Sequence, residues 1–419
     1  VAIINANIIT MEDENIHNGQ TIIIRDGLIK SIANSKDVQI PSDTQIVDAC
    51  GKYLIPGLVD MHVHFNSFAP FIGIPGEWAF FIANGVTSVR NMWGMHLDPY
   101  HPILKKCKMV ENNKIPYPNV YTGGQILESK PAFFSPGSYI IDKPEKAFKI
   151  VESEKKKGYE FIKIYHTLNE EAYKAVAAAS KEYKIPFLGH VPDEIGIEGA
   201  IAAGQHSIEH LIGYFNPFTG KPLLDSEEIE RLVEVTAKSE VWNCPTLVVW
   251  SRYLNPKRLD EFEKKSEMTY LPKKLRENWR NGLSKAYKNL YIPDNYEEYL
   301  NMLVGKLHKA GARLLLGTDS YNPFVVPGFS LHEELNNLVN AGLSPYEAIK
   351  AGTKNAAMCL NKLNEFGTIS FGKRGDLVLL DKNPLENINN LKSIAGVMVR
   401  GIWITRSMLD SLLDTLSNS

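Results

Sequence analysis

Leu54-Ile55-Pro56-Gly57-Leu58-Val59-Asp60-Met61-His62-Val63-His64 reads as an apolar strand that ends on two histidines. Side chains alternate faces along a strand, so His62 and His64 point the same way and stand close enough to grip one cation. Alone, such a pair reads more readily as two ordinary polar positions than as a metal grip. Four more potential ligands, spaced along the chain in order, give the pair its weight. Lys163 sits in Phe161-Ile162-Lys163-Ile164-Tyr165, His190 ends Pro186-Phe187-Leu188-Gly189-His190, His210 ends Ser207-Ile208-Glu209-His210, and Asp319 ends Leu314-Leu315-Leu316-Gly317-Thr318-Asp319. Each lies in or closes a short apolar run with the look of a strand.

Apolar strands alternate with helical stretches through the middle of the chain, which argues for parallel βα units. After the first strand, further strands are expected at Val86 to Met92, Asn119 to Thr122, Phe161 to Tyr165, Pro186 to His190, Ser207 to His210, Val241 to Thr246 and Arg313 to Thr318. Eight such units make a (β/α)8 TIM barrel of the α/β class, with its chemistry at the C-terminal strand ends. The ligand candidates fall at or near those ends. Helices are expected at Lys143 to Lys157, Glu170 to Lys184 and Asp225 to Lys238, with Asn169 and Ser226 as cap candidates before acidic first turns.

The two ends of the chain read differently. Ala2 to Ile9, Thr21 to Ile24 and Leu28 to Ile32 are short strands, and Asp26-Gly27 between the last two is a hairpin signal. Strands return at Asp376 to Leu380 and Val397 to Ile404. A small β-sandwich domain from residues 1–55 plus 365–419 is therefore expected around a barrel spanning 56–364. One stretch breaks the repeat: about 248–300 is charged, rich in aromatics and far longer than a normal βα connection. It reads as a lid or specificity element, a helical excursion, or a dimer contact. Pocket shape would depend on loops such as Phe65 to Pro75 and Glu128 to Ser138.

At the six quoted positions the chain resembles the amidohydrolase superfamily of metal-dependent hydrolases. It is similar to the binuclear type with a carboxylated lysine, in the imidazolonepropionase-like and Xaa-Pro dipeptidase-like branch. The pattern there is His-x-His on barrel strand 1, a carboxylated lysine on strand 4, single histidines on strands 5 and 6, and an aspartate on strand 8. The resemblance implies that His62, His64 and Asp319 hold the more buried of two divalent ions, zinc best suited, and that His190 and His210 hold the more exposed one. Lys163 would bridge them as a carbamate formed with carbon dioxide. The lysine fits that role physically, because burial lowers its pKa and a neutral amine can capture carbon dioxide; a lysine paired with a nearby acid is the plainer alternative. The implied reaction is attack of a metal-bridging hydroxide on an amide carbonyl, with Asp319 carrying the proton to the leaving nitrogen.

Two further residues are candidates. Tyr214, four residues beyond His210, resembles an oxyanion-stabilising, substrate-binding tyrosine of peptide-cleaving members, though a packing tyrosine fits too. His166 could lie behind the ligands or touch substrate. His206 reads as structural, and Arg90, inside strand 2, as support for the barrel floor ahead of a partner for a substrate carboxylate. The chain also departs from its look-alikes: Asn91 follows Val89-Arg90 where an aspartate is common, and Gly123 to Leu127 lacks a histidine found in several dipeptidase-like members.

The expected function is thus a metallopeptidase-like or N-acyl-amino-acid hydrolase acting on a small amide. A cyclic amide, lactone or ester would serve the same hydroxide, whereas deaminases, which generally use one ion and no bridging lysine, fit less well. A non-catalytic binding protein on the same scaffold is the alternative from another class, although such proteins usually lose ligands.

Composition agrees with this and narrows it little. With 44% hydrophobic and 22% charged residues among 419, the chain can fill several cores. A formal net charge of −2 gives nothing for nucleic acid or an anionic membrane to attract, and Lys105-Lys106 and Lys155-Lys156-Lys157 read as solvated helix faces. Cys50, Cys107, Cys244 and Cys359 are scattered, which favours free buried thiols over a disulfide framework. No apolar run reaches the roughly 18 residues of a membrane span. The sequence opens at Val1, already strand-like, leaving room for an upstream signal peptide and hence for a cytoplasmic or an exported protein. A homo-oligomer is compatible with all of this.

Overall fold

A computed structural model describes residues 1–64, 78–94, 104, 117–134, 137–219, 223–288 and 290–417. The loop Phe65 to Pro75, the Lys105-Lys106 pair and Cys107 lie outside the described residues, as do two residues of the Glu128 to Ser138 loop.

The N-terminal strands β1 (Ala2–Ile9), β2 (Ile16–Arg25), β3 (Leu28–Asn34), β4 (Ile46–Asp48) and β5 (Tyr53–Pro56) lead into the parallel strands β6 (Leu58–Val63), β7 (Val86–Asn91) and β8 (Asn119–Thr122). Next in the chain come β9 (Ile126–Glu128), β10 (Ser138–Ile140), β11 (Ile162–Ile164), β12 (Phe187–Gly189), β13 (Ser207–Glu209), β14 (Trp242–Cys244) and β15 (Arg313–Leu314). The chain closes with β16 (Leu377–Leu380), β17 (Ile394–Val399), β18 (Ile402–Thr405) and a last helix, Arg406–Ser417.

The two ends do pair: β16 runs antiparallel to β5, and β5 lies parallel to β1. The result is one continuous eight-stranded sheet in the order β18-β17-β16-β5-β1-β2-β3, with β4 on β1, where two packed sheets were expected. Its continuity rests on β5, which is hydrogen-bonded on both edges. The turn between β2 and β3 places Asp26 and Gly27 at φ 53° and 75°, the left-handed pair that a two-residue hairpin requires.

The middle of the chain forms two arcs of parallel strands, β6-β7-β8 and β10-β9-β11-β12-β13-β14-β15. Single parallel bridges stand at both gaps between them, Gly123 with Phe161 and Val63 with Ser320. Asp60 adds a second tie across the latter gap, accepting hydrogen bonds from the Thr318 backbone N–H and hydroxyl at 2.9 and 2.6 Å. Between strands, the helices Pro144–Lys157, Glu170–Tyr183 and Ser226–Ala237 match expectation within a residue or two. Asn169 caps the second as expected, whereas the third is capped by Asp225 rather than Ser226, because the Asp225 carboxylate accepts from the Glu228 N–H. Cys244 and Cys359 are buried free thiols and Cys50 is exposed. Among the described residues no helix is long and apolar enough to cross a membrane.

The irregular stretch is helical, with α-helices at Leu247–Tyr253, Leu259–Glu263 and Lys273–Ala286. Two neighbouring acids on the helix Phe329–Asn340 anchor its start. Glu333 takes both oxygens to the Arg252 guanidinium at 2.8 and 3.0 Å, and Glu334, fully buried, accepts from the Leu247 and Val248 N–H groups at 2.8 and 2.6 Å. Burial pushes the Glu334 carboxyl up from 4.5 to about 8. A folded value above the unfolded one means that its contribution to stability is whole below the unfolded value and is lost as pH rises through about 8. Denaturant titrations across that window should show stability falling with pH by as much as about 1.4 kcal/mol per unit from this group, a slope that Glu334→Gln removes. Equal slopes in the two proteins would contradict it.

Candidate metal centre

Five strands, β6, β11, β12, β13 and β15, and the turns that follow them deliver the six predicted ligands to one cavity of about 280 Å³, whose wall includes His62, His64, Lys163, His190, His210 and Asp319. Asp319 sits at their centre: its Oδ1 lies 2.7 Å from His64 Nε2 and 3.4 Å from His62 Nε2, and its Oδ2 lies 3.7 Å from His210 Nε2. The His190 and His210 rings are 5.0 Å apart. Ligand atoms of His62, His210 and Asp319 fall within 4.8 Å of one another, a grouping that cuts across the expected division between a buried and an exposed ion.

The backbone is strained where two of these side chains leave their strands. His210 and Asp319 both have positive φ, 62° and 64°, a conformation costing about 1–3 kcal/mol for a residue with a side chain. Hydrogen bonds impose it: the Asp319 N–H donates to His62 O at 2.7 Å, and the His210 N–H to Cys244 O at 2.9 Å.

The electrostatics of these side chains suit a cation. Burial first, and the nearby Lys163 charge in addition, hold His62, His190 and His210 well below the usual imidazole range, so all three are neutral donors at pH 7. Burial likewise lowers the Lys163 ammonium to about 8. Its Nζ, on a side chain 1% exposed, has no hydrogen-bond partner among the described residues, and neither does His62 Nε2. Buried polar atoms are normally satisfied. These two, facing the same cavity as a carboxylate, fit a site built to coordinate.

Behind the ligands lies a layer that sequence reasoning misses. Glu209, fully buried, takes His62 Nδ1 at 2.8 Å on one oxygen, and Arg90 at 2.7 Å together with the Ser207 hydroxyl on the other. A carboxylate on the far nitrogen fixes a histidine's tautomer and raises its basicity. Arg90, expected to support the barrel floor, does so through this carboxylate and through Met61 O at 2.6 Å. His210 is similarly held by Thr246, its Nδ1 2.7 Å from the hydroxyl. A signal for Glu209 does exist in the chain: a glutamate inside the apolar run that ends on His210.

Tyr214 is not where it was expected, whereas His166 takes the place behind the ligand candidates that was one of its two readings. Tyr214 does not line the cavity; its hydroxyl is buried against Thr236 at 2.5 Å, in the core under the helix Ser226–Ala237. The chain turns back after His210 through Leu211, also at positive φ, and carries Tyr214 away from the cavity. His166 stands one layer out, its Nδ1 3.3 Å from His190 Nδ1 and its ring stacked on Phe218 at 5.0 Å. Tyr165, the next residue back, makes the cavity wall instead, its ring 4.0 Å from that of His190. His206 is structural, bonding Cys359 O at 2.8 Å.

Several known proteins are similar to this chain. An imidazolonepropionase of Geobacillus sp. (strain WCH70) is 43% identical over 77 residues, 18% of this chain and 18% of that protein. An adenine deaminase of Clostridium botulinum (strain Loch Maree / Type A3) is 20% identical over 431 aligned positions, covering 99% of this chain and 58% of the relative. The chain thus matches less than a fifth of the one and under two thirds of the other. Among solved structures, a bottromycin amidohydrolase superposes with a TM-score of 0.79 at 22% identity, over 100% of this chain and 90% of that one. A Xaa-Pro dipeptidase with methionine bound in its active site gives 0.70 at 20% identity, over 96% and 99%; at such identities the likeness is one of fold. The family model described as "Amidohydrolase family" matches residues 53–404, from the strand before His62 to the last strand of the terminal sheet, and the chain belongs to that family.

Proposed function

We propose that this protein is a binuclear metal-dependent hydrolase of an amide C–N bond, with a dipeptide or N-acyl amino acid as the class of substrate. One observation carries the reading: the Lys163 amine is buried, without a hydrogen-bond partner and in the wall of the cavity that holds four imidazoles and Asp319. An isolated ammonium there is costly, and carbamylation turns it into an anionic two-oxygen ligand. The donor set of imidazoles and carboxylates suits zinc. His62, His64, His190, His210, Asp319 and carbamylated Lys163 would hold two ions, which when bound supply Lewis acidity toward the carbonyl and hydroxide at neutral pH.

The chain's own groups do the rest. Asp319 takes the proton of the attacking water and passes it to the departing nitrogen. Glu209 keeps Nδ1 of His62 protonated, so that Nε2 stays free to coordinate. We also read the two strand arcs as one (β/α)8 barrel over residues 56–364, its gaps spanned by the bridges at Gly123 and Ser320, with residues 1–55 and 365–419 as a second domain. Strand-end placement of the ligands supports that reading.

A hydrolysis screen of dipeptides, N-acyl amino acids, cyclic amides and lactones with the zinc-loaded protein tests the proposal. Turnover of an amide is expected; a protein that binds zinc and cleaves none would overturn it. Removing the Glu209 carboxylate reads the layer behind the ligands separately. Glu209→Gln should weaken zinc binding by about 10- to 100-fold in a chelator competition, and an unchanged affinity would show that His62 needs no help.

A further inference from the structure

We infer that, within the proposed class, the cavity selects an N-acyl amide whose acyl group beside the scissile bond is uncharged and aromatic or bulky apolar. The inference rests on the proposed function for its location and on the wall of the cavity for its chemistry. Apart from the six ligand candidates, none of the described residues lining the cavity carries a charge, and most are aromatic. Phe134, Phe133, Phe218 and Trp250 form a belt of neighbouring rings, with centroids 4.8, 5.8 and 6.3 Å apart in turn, and Tyr253 and Trp279 face them from the helical excursion. Rings meeting edge to face favour another ring placed between them.

The belt is held in place from behind. Glu128, fully buried, accepts hydrogen bonds from the N–H groups of Phe133 and Phe134 at 2.8 and 3.0 Å and from the Thr167 hydroxyl at 2.9 Å. Glu334 does the same for Leu247 and Val248 at the start of the helix that carries Trp250 and Tyr253. Two buried glutamates, one under each half, thus fix the segments that bear the rings. The excursion is also tied to the catalytic loop: the Tyr253 hydroxyl donates to Asn322 Oδ1 at 2.8 Å, and the Asn322 amide donates to Asp319 O at 2.8 Å. A charged group pushed against this belt would lose water and gain no counter-charge. A phenyl ring would bury its whole face.

Phe133 is the residue to vary, because it is 53% exposed at the rim and its truncation does not empty a core. Binding of N-benzoyl-, N-acetyl- and N-succinyl-glycinamide to the purified protein can be followed by quenching of tryptophan fluorescence and checked by calorimetry. The benzoyl amide is expected to bind about tenfold or more tighter than the acetyl amide, and the succinyl amide weakest of the three. Phe133→Ala should cut the benzoyl preference several-fold, and Phe133→Arg should raise succinyl binding above that of the native chain. Succinyl binding equal to benzoyl, no binding by any of the three, or a preference indifferent to both variants overturns the inference. Hydrolysis of the same compounds is scored separately: tight benzoyl binding without cleavage counts against the proposed reaction and leaves the selectivity standing.

Discussion

Lys163→Met should yield a protein that folds at least as stably as the native chain and has lost its chemistry. In the metal-free state the native lysine keeps a buried amine without a partner, and an unsatisfied buried polar group costs about 1–3 kcal/mol. Methionine nearly matches the stem in shape and carries no amine, so chelated Lys163→Met should unfold at a higher denaturant concentration than chelated native protein. The loss of function should be larger than the roughly 10- to 100-fold that accompanies removal of a group behind a metal ligand, because the residue removed is a proposed ligand itself. A third measurement reads the carbamate directly. In bicarbonate enriched with carbon-13, the native protein should show a carbamate resonance that is absent from Lys163→Met. A variant that keeps native zinc content and rate would remove Lys163 from the site.

How much of this is legible in the sequence depends on the range of the forces involved. Strand ends carrying histidines can be read because alternation and short apolar runs are local properties, and every one of the eight expected strands of the middle region has a counterpart within a few residues. β15 shrinks to Arg313–Leu314, since its continuation is held by single tertiary bonds, from Met61 N–H to Leu316 O and from Leu315 N–H to Asn243 O, rather than by a regular ladder. The eight-stranded sheet reads as a sandwich for a similar reason: strand order depends on pairings between residues more than 300 apart, such as Leu54 with Leu379. Tyr214 fails because spacing from His210 assumes a straight course, while positive φ at His210 and Leu211 reverses the chain. Glu209 and Glu128 escape notice, although a glutamate inside an apolar strand always needs a partner; their partners come from other strands and loops, which no window along the chain displays.

Asp319→Asn is expected to lower kcat by about 10²- to 10⁴-fold, the range for removing a positioned proton carrier, with KM little changed. The substitution is chosen for its backbone as much as its chemistry. Asp319 stands at φ 64°, and asparagine tolerates the left-handed region better than other residues with side chains, so the strained turn after β15 survives. Thr318, whose hydroxyl and N–H bind Asp60, is untouched, as is the N–H of residue 319 on His62 O. Geometry is thereby held while the carboxylate becomes an amide that cannot take a proton. Zinc content decides between the two roles proposed for this residue. A slow variant that retains both equivalents of zinc lacks only the proton carrier; one that loses zinc in proportion to its rate shows coordination alone, and the assignment of proton transfer to Asp319 fails. Full kcat with full metal would place the acid–base chemistry elsewhere in the cavity, where the remaining described side chains with titratable protons are Lys163, the histidines and the wall tyrosines Tyr165, Tyr253 and Tyr321. Burial holds the hydroxyls of Tyr165 and Tyr253 well above the ordinary phenol range, which suits them to donate hydrogen bonds at neutral pH rather than to accept a proton, so the acceptor would then be sought among Lys163 and the imidazoles.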